Sequence, residues 1–334
     1  MWNYIAKRFL LIIPTFIGIS VITFLIIHMA PGDPSKIKEM GTFSSGEKVA
    51  REVIEETRRL YGLDMPLHRQ YIRWLGRIVR LDFGESLVDH RPVIQKIKEA
   101  LPITLALNFA SIFLIYLISI PTGVVSAVRR GGIIDRFTML LLLILYSLPS
   151  FWVASMLITY LAGGEHLNLF PVVGYRSLDP VPGGWWGQLL DIVWHLVLPV
   201  VCLTYGGLAF LSRFTRGVLL EVLGEEYLIT ARAKGIPERQ VIWRHAFRNA
   251  LVPMTTLLGT LLPALLGGSV IIEQIFSIPG MGRLGFQSIL SRDYPTIMAI
   301  ATIQALVTLF GLLLVDLAYI AVDPRIRLGG RRDV

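Results

Sequence analysis

The sequence is poor in charge and almost without cysteine. Only 17% of its 334 residues are Asp, Glu, Lys or Arg, against about 25% in an ordinary soluble domain. With 54% hydrophobic residues and a mean hydropathy of +0.61, such a chain needs lipid around long stretches of it. Cys202 is the single cysteine, which excludes an internal disulfide framework, and no Cys/His cluster has zinc-site spacing, so no metal site is expected. There is no Gly-x-x-x-x-Gly-Lys-Ser/Thr loop and no Gly-Lys dipeptide, so ATP phosphates are not cradled in that way. His-Glu-x-x-His and Gly-x-Ser-x-Gly are also missing, and the six histidines are scattered. A membrane-embedded enzyme therefore lacks a recognisable centre. No catalytic residue and no cofactor bound by this chain is expected.

What the sequence has is long apolar runs. Six segments reach the roughly 20 residues that a helix needs to cross a bilayer: Phe9 to Ala30, Leu101 to Val128, Phe137 to Ala162, Ile192 to Ser212, Asn249 to Ile272, and Tyr294 to about Val322. None contains Lys, Arg, Asp or Glu, apart from Asp316 in the last. An acid inside a span is a functional suspect by default, and snorkelling or pairing with an arginine is the plainer account of this one. The first run is longer than a signal-peptide core and ends in Met29-Ala30-Pro31-Gly32, a poor cleavage site, so it reads as a retained helix.

The net charge of +8 is a topology signal, and no nucleic acid is needed to explain it. With the N-terminus in the cytoplasm, the inner segments hold Lys7 and Arg8, then Arg129, Arg130 and Arg136, then the basic stretch 213–248, then Arg325, Arg327, Arg331 and Arg332. The two short outer loops hold only Arg176, Arg283 and Arg292. That bias follows the positive-inside rule and puts both termini in the cytoplasm. The expected fold is all-α: six transmembrane helices, with residues 1–30 forming the N-terminus and first helix. Residues 31–99 form an extracytoplasmic helical insert, 100–322 the five-helix core, and 323–334 a cytoplasmic tail. Within the insert, apolar spacing predicts surface helices over Glu47 to Tyr61 and Leu67 to Val79. Trp185, Trp186 and Trp194 stand where an interfacial aromatic belt would lie.

The stretch 213–248 is the longest cytoplasmic loop. Glu225 and Glu226 favour a helix start, Gly235 closes that helix, and Ile236-Pro237 begins a turn that restarts a second one. Two short helices at an angle result, with small residues Ala231 and Ala233 beside the bend. Composition alone reads as a solvated basic loop.

Motifs change that reading. Thr-Ala-Arg-Ala-Lys-Gly at 230–235, followed by Trp-Arg-His-Ala-Phe-Arg-Asn-Ala-Leu-Val-Pro at 243–253, resembles the coupling loop of binding-protein-dependent ABC import permeases. The dipeptide/oligopeptide/nickel branch is the most similar. The resemblance spans nearly the whole chain, through Met29 to Pro34, Tyr61 to Asp64, Asp82 to Ser86, Leu101 to Leu105, Gly268 to Glu273, Ile278 to Gly282 and Val322 to Ile326. Ala162-Gly163-Gly164, Asn168 to Val172 and Trp194 to Pro199 add a likeness to oligopeptide permeases that also admit microcin C. Where the broader importer family carries Glu-Ala-Ala, this chain has Ile229, Thr230 and Ala231, as is usual in the peptide branch.

The resemblance implies a type I importer permease in a bacterial or archaeal cytoplasmic membrane. It would pass peptides handed over by an extracytoplasmic binding protein, alongside a second permease and two ATPase subunits that hold ATP and Mg. Nickel or another small solute of the branch is the alternative cargo. The implied ATPase-coupling residues are Glu225, Glu226, Thr230, Ala231, Arg232, Ala233, Lys234, Gly235, Arg244, His245 and Arg248. For the translocation path, Gly267, Gly268 and Ser269 could permit a kink, although helix packing is as good an account. Glu273 reads as a wet interfacial carboxylate rather than a contact for a peptide amino terminus. A secondary transporter or channel is the rival class; it usually shows broken helices and mid-membrane polar groups, and mid-span charge is almost absent here.

Overall fold

The structure is a computed structural model that describes residues 2–29, 65–162, 166–179, 181–257, 264–265 and 267–322. The helix expected over Glu47 to Tyr61 and the tail 323–334 lie outside these residues. Among the described residues the chain is helical, with one isolated antiparallel bridge between Glu85 and Pro92 in place of any strand.

Helix α1 (Trp2–Met29) packs along α11 (Tyr294–Val322). Helix α2 (Leu67–Val79) has the bounds that its apolar spacing predicts. It lies across the end of α1, where Phe24, Tyr71 and Trp74 form an aromatic cluster with ring centroids 5.4–5.9 Å apart. The hydroxyls of Ser20 and Tyr71 are 2.8 Å apart.

The centre of the bundle is the pair α3 (Val93–Val128) and α6 (Gly184–Leu223). At 1.5 Å per residue, 36 and 40 residues run about 54 and 60 Å, far beyond a hydrocarbon layer of about 30 Å. Both helices therefore stand out of the lipid. The expected fourth span, Ile192 to Ser212, is the middle of α6; the helix continues to Leu223, so Arg213 and Arg216 are helical and the loop starts only at Gly224.

Small residues let the two long helices meet. A Cβ on Gly123 would stand 2.6 Å from the Thr215 Cβ and 2.7 Å from the Ser212 carbonyl oxygen. Beside this crossing the Ser119 hydroxyl donates to the Leu208 carbonyl at 3.1 Å. Without a hydrophobic driving force between helices in lipid, such close backbone approach is what holds them.

Two of the six expected spans are not continuous helices. The third divides into α4 (Ile133–Ser147) and α5 (Ser150–Leu157, prolonged by a π-turn Ile158–Ala162), bent by 93°. Pro149 forces this, because the residue before a proline is driven from the helical region, and Leu148 is extended at φ −82°, ψ 126°. The fifth begins with α8 (Phe247–Leu257) and is interrupted at a left-handed Gly268 (φ +62°) just before α9 (Val270–Ile275). Four described helices are long and apolar enough to cross a membrane, and five spans result if the bent pair counts as one. Asp316 falls within α11, and its side chain lies outside the described residues.

Candidate functional site

The basic elbow begins where Gly224 ends α6. Glu225 is the N-cap of α7 (Glu226–Ala233), where Glu226 meets the positive end of the helix dipole. Gly235 closes the helix at φ +76°, a left-handed conformation that costs an L-residue about 1–2 kcal/mol. Pro237 caps one turn (Glu238–Gln240), which runs through a π-helical stretch (Val241–Ala246) into α8.

Two contacts brace the angle. Arg232 donates from Nε and Nη2 to both oxygens of Glu238 at 3.2 and 2.9 Å, and Asn249 donates to the Tyr227 hydroxyl at 2.6 Å. The hydrogen bonds from Arg232 hold the Glu238 carboxyl below its ordinary pKa. Both side chains are well exposed, so the pair fixes geometry more than it adds stability.

One face of the elbow is buried. Leu228, Val241 and Ala246 are fully inaccessible, and with Ala231, Ile242 and Ala250 they pack against Val124 and Ala127 of α3 and Leu219 of α6. The other face is open: Glu225, Glu226, Thr230, Arg232, Ala233, Lys234, Gly235, Arg244 and Arg248 are exposed, and His245 is half-buried. Ala231 belongs to the buried face. A Cβ on Gly235 would meet no atom of the described residues within 4 Å.

Next to this seat is an ion pair that the sequence reading did not pick out. Asp135, at the start of α4, is 4% exposed. It accepts from Arg216 Nε and Nη2 on α6 at 2.7 and 2.8 Å, from the Gly131 N–H at 2.9 Å and from the Ser126 hydroxyl on α3. Three helices are tied at one carboxylate. The available signal was a lone acid among Arg129, Arg130 and Arg136.

At the other end of the bundle Glu273 proves to be 1% exposed, so the wet interfacial reading is wrong. The backbone folds back at Gly268 and encloses the carboxylate: Thr104 of α3 donates to it at 3.1 Å and the Arg283 N–H at 2.8 Å. Thr104 in turn accepts from the Met281 N–H at 2.8 Å, at the start of α10 (Met281–Leu290). A Cβ on Gly280 would lie 2.5 Å from the Glu273 carboxyl carbon, so only glycine fits that wall. The structure thus joins α9, α10 and α3 at one side chain. We expect Glu273→Gln to place an amide N–H against one of these donors and cost about 1–3 kcal/mol, read as a lower thermal unfolding midpoint in detergent. An unchanged midpoint would contradict the burial.

Gly267, Gly268 and Ser269 are half-buried. Ser269 caps α9, accepting from the Ile272 N–H at 3.5 Å. It also lines a cavity of about 330 Å3 shared with Leu148 and Tyr205. The Tyr205 hydroxyl donates at 2.7 Å to the Leu148 carbonyl, which the Pro149 break frees from its helix.

A helical bundle with several lipid-length helices, and a basic elbow seated on the ends of the two longest, has the architecture of the membrane-embedded half of a transporter. The chain belongs to the family described as "Binding-protein-dependent transport system inner membrane component", matched over residues 119–328; the companion family for the N-terminal part of such components matches residues 1–108. The chain is 40% identical over 327 residues to the oligopeptide transport system permease protein AppB of Bacillus subtilis (strain 168), covering 98% of this chain and 99% of that one. It is 37% identical over 343 residues to the dipeptide transport system permease protein DppB of Escherichia coli (strain K12), covering 98% and 99%. Against the inner membrane ABC transporter permease protein YejB of Escherichia coli O157:H7 the identity is 34% over 366 residues, covering 99% and 100%. Among solved structures, the inward-facing MetNI methionine ABC transporter matches with a TM-score of 0.50 at 21% identity, over 70% of this chain and 98% of that one. The fold is that of an ABC importer permease, in a multi-pass membrane protein.

Proposed function

We propose that this chain is one permease half of an ATP-driven peptide importer in a bacterial or archaeal cytoplasmic membrane. Its partners in this reading are a second permease of like fold, two ATPase subunits that hold ATP and Mg, and an extracytoplasmic peptide-binding protein. The peptide cargo rests on the relatives, which are named for oligopeptide and dipeptide transport. The broken third and fifth segments each make one crossing, which gives six spans with both termini inside.

The observation that carries the mechanism is the seating of the elbow. Its buried side chains lock it to α3 and α6, while the bend at Gly235 stays open on the opposite side. An ATPase that grips the exposed face when it closes on nucleotide displaces the elbow, and the long helices follow as near-rigid bodies. The grip biases the equilibrium only if its contacts differ between the two states.

The test uses the assembled transporter in proteoliposomes. Gly235→Trp adds bulk at a bend where a Cβ meets no described atom within 4 Å, whereas Gly235→Ala imposes the backbone strain alone. We expect the Trp variant to fold, to leave peptide capture by the binding protein intact and to lose at least about tenfold in ATP-driven uptake, a barrier of about 1.4 kcal/mol. The Ala variant should lose less. Wild-type uptake and ATPase stimulation in the Trp variant would overturn the assignment of the elbow.

A further inference from the structure

Far from the elbow, the bundle holds a cavity of about 530 Å3 whose wall includes Arg91, Lys96, Glu99, Ile103, Gly280 and Arg283. Ile103 and Val124, the latter in the elbow's core, are about 30 Å apart along α3 at 1.5 Å per residue. The cavity and the elbow therefore lie on opposite sides of a layer as thick as the hydrocarbon.

The wall carries three cations against one acid, and two of the cations are already engaged. Arg91 Nη2 lies 2.5 Å from Glu99. Lys96 Nζ lies 3.1 Å from Asp89 and 3.6 Å from the buried Asp293, and donates to the Ser86 hydroxyl at 3.0 Å. Arg283 differs: the residue is half-buried, and its guanidinium has no carboxylate within ion-pair distance among the described residues. Its backbone is nevertheless held firmly, because its own N–H donates to Glu273 at 2.8 Å and Glu273 is held by Thr104.

An arginine on an anchored backbone, lining a concave space of small-ligand size, is matched to a planar anion that accepts two parallel hydrogen bonds. We propose that this cavity is a carboxylate subsite, in which Arg283 receives the carboxylate of a peptide at the end of the transporter opposite the ATPases. The proposal rests on the permease reading above. The concavity favours a small ligand over an acidic side chain on the docking protein. The positive charge, unpaired among the described residues, would also draw anionic groups in.

The test uses the assembled transporter in detergent, without its binding protein. Equilibrium binding of one peptide as its free acid and as its C-terminal amide is measured by saturation-transfer NMR. Wild type should bind the acid about tenfold more tightly, the scale of one charge-assisted contact. Arg283→Gln keeps the backbone N–H to Glu273 and should erase the preference. Equal binding of acid and amide by wild type, or a preference that survives Arg283→Gln, would overturn the subsite. Affinity for the binding protein, measured separately, should not change; a comparable drop there would assign Arg283 to docking and equally overturn the proposal. ATP-driven uptake of peptide by the wild-type system tests the permease reading itself, so the two failures are distinguishable.

Discussion

Asp135→Ala will destabilise the protein by about 3–5 kcal/mol, because it strips the buried partner from a charge and leaves Arg216 uncompensated. The carboxylate is 4% exposed and accepts from the Arg216 guanidinium, the Ser126 hydroxyl and the Gly131 N–H, so its loss frees donors on three segments at once. Arg216→Ala should be similarly damaging, since it buries an unpaired carboxylate. The discriminating variant is Asp135→Leu combined with Arg216→Met. Replacing both members of a buried pair by apolar groups is often nearly neutral, so the double variant should recover most of the unfolding midpoint that either single variant loses. If the double variant is as unstable as the sum of the singles, the cost lies in packing volume and the ion pair is not its origin.

Gly123→Leu is expected to be the next most damaging change. Overpacking a core costs typically about 1–3 kcal/mol, and this site stands at the upper end because its nearest neighbours cannot yield. A side chain there meets the Thr215 Cβ at 2.6 Å and the Ser212 carbonyl oxygen at 2.7 Å. Trimming Thr215 to Ala leaves both obstacles in place, so Gly123→Leu with Thr215→Ala should not regain stability. Gly207 offers a contrast. A Cβ there meets the Cδ1 of Ile115 at 2.5 Å, the far end of a flexible side chain, and Gly207→Ala should be tolerated far better than Gly123→Ala. Thermal unfolding of the purified variants decides, and equal losses at the two glycines would disprove the distinction.

Much of this architecture is legible in the sequence, and the gaps have physical causes. The bounds of α2 follow from its apolar spacing because one face must pack and the other stays wet. The elbow is legible because its signals are local: acids at a helix start, a glycine at its end, a proline to begin again. Hydropathy, by contrast, measures composition and is blind to backbone path. Pro149 sits inside an unbroken apolar run, so the 93° bend is hidden from any count of hydrophobic residues. The burial of Glu273 is hidden for a related reason. Its place at the end of an apolar run suggests water, and only the return of the chain through Gly280 and Gly282 encloses it. Asp135 does not stand out among arginines because its partner, Arg216, lies 81 positions away, and sequence spacing carries no signal at that distance.

The way the elbow is mounted has a mechanical consequence. Leu228 and Val241, with no exposed surface, share one apolar core with residues of both central shafts, and the Tyr227–Asn249 bridge spans the joint. In the proposed mechanism a tug on the elbow would be divided between two shafts that both run the depth of the membrane, and little of the stroke would be spent bending the handle.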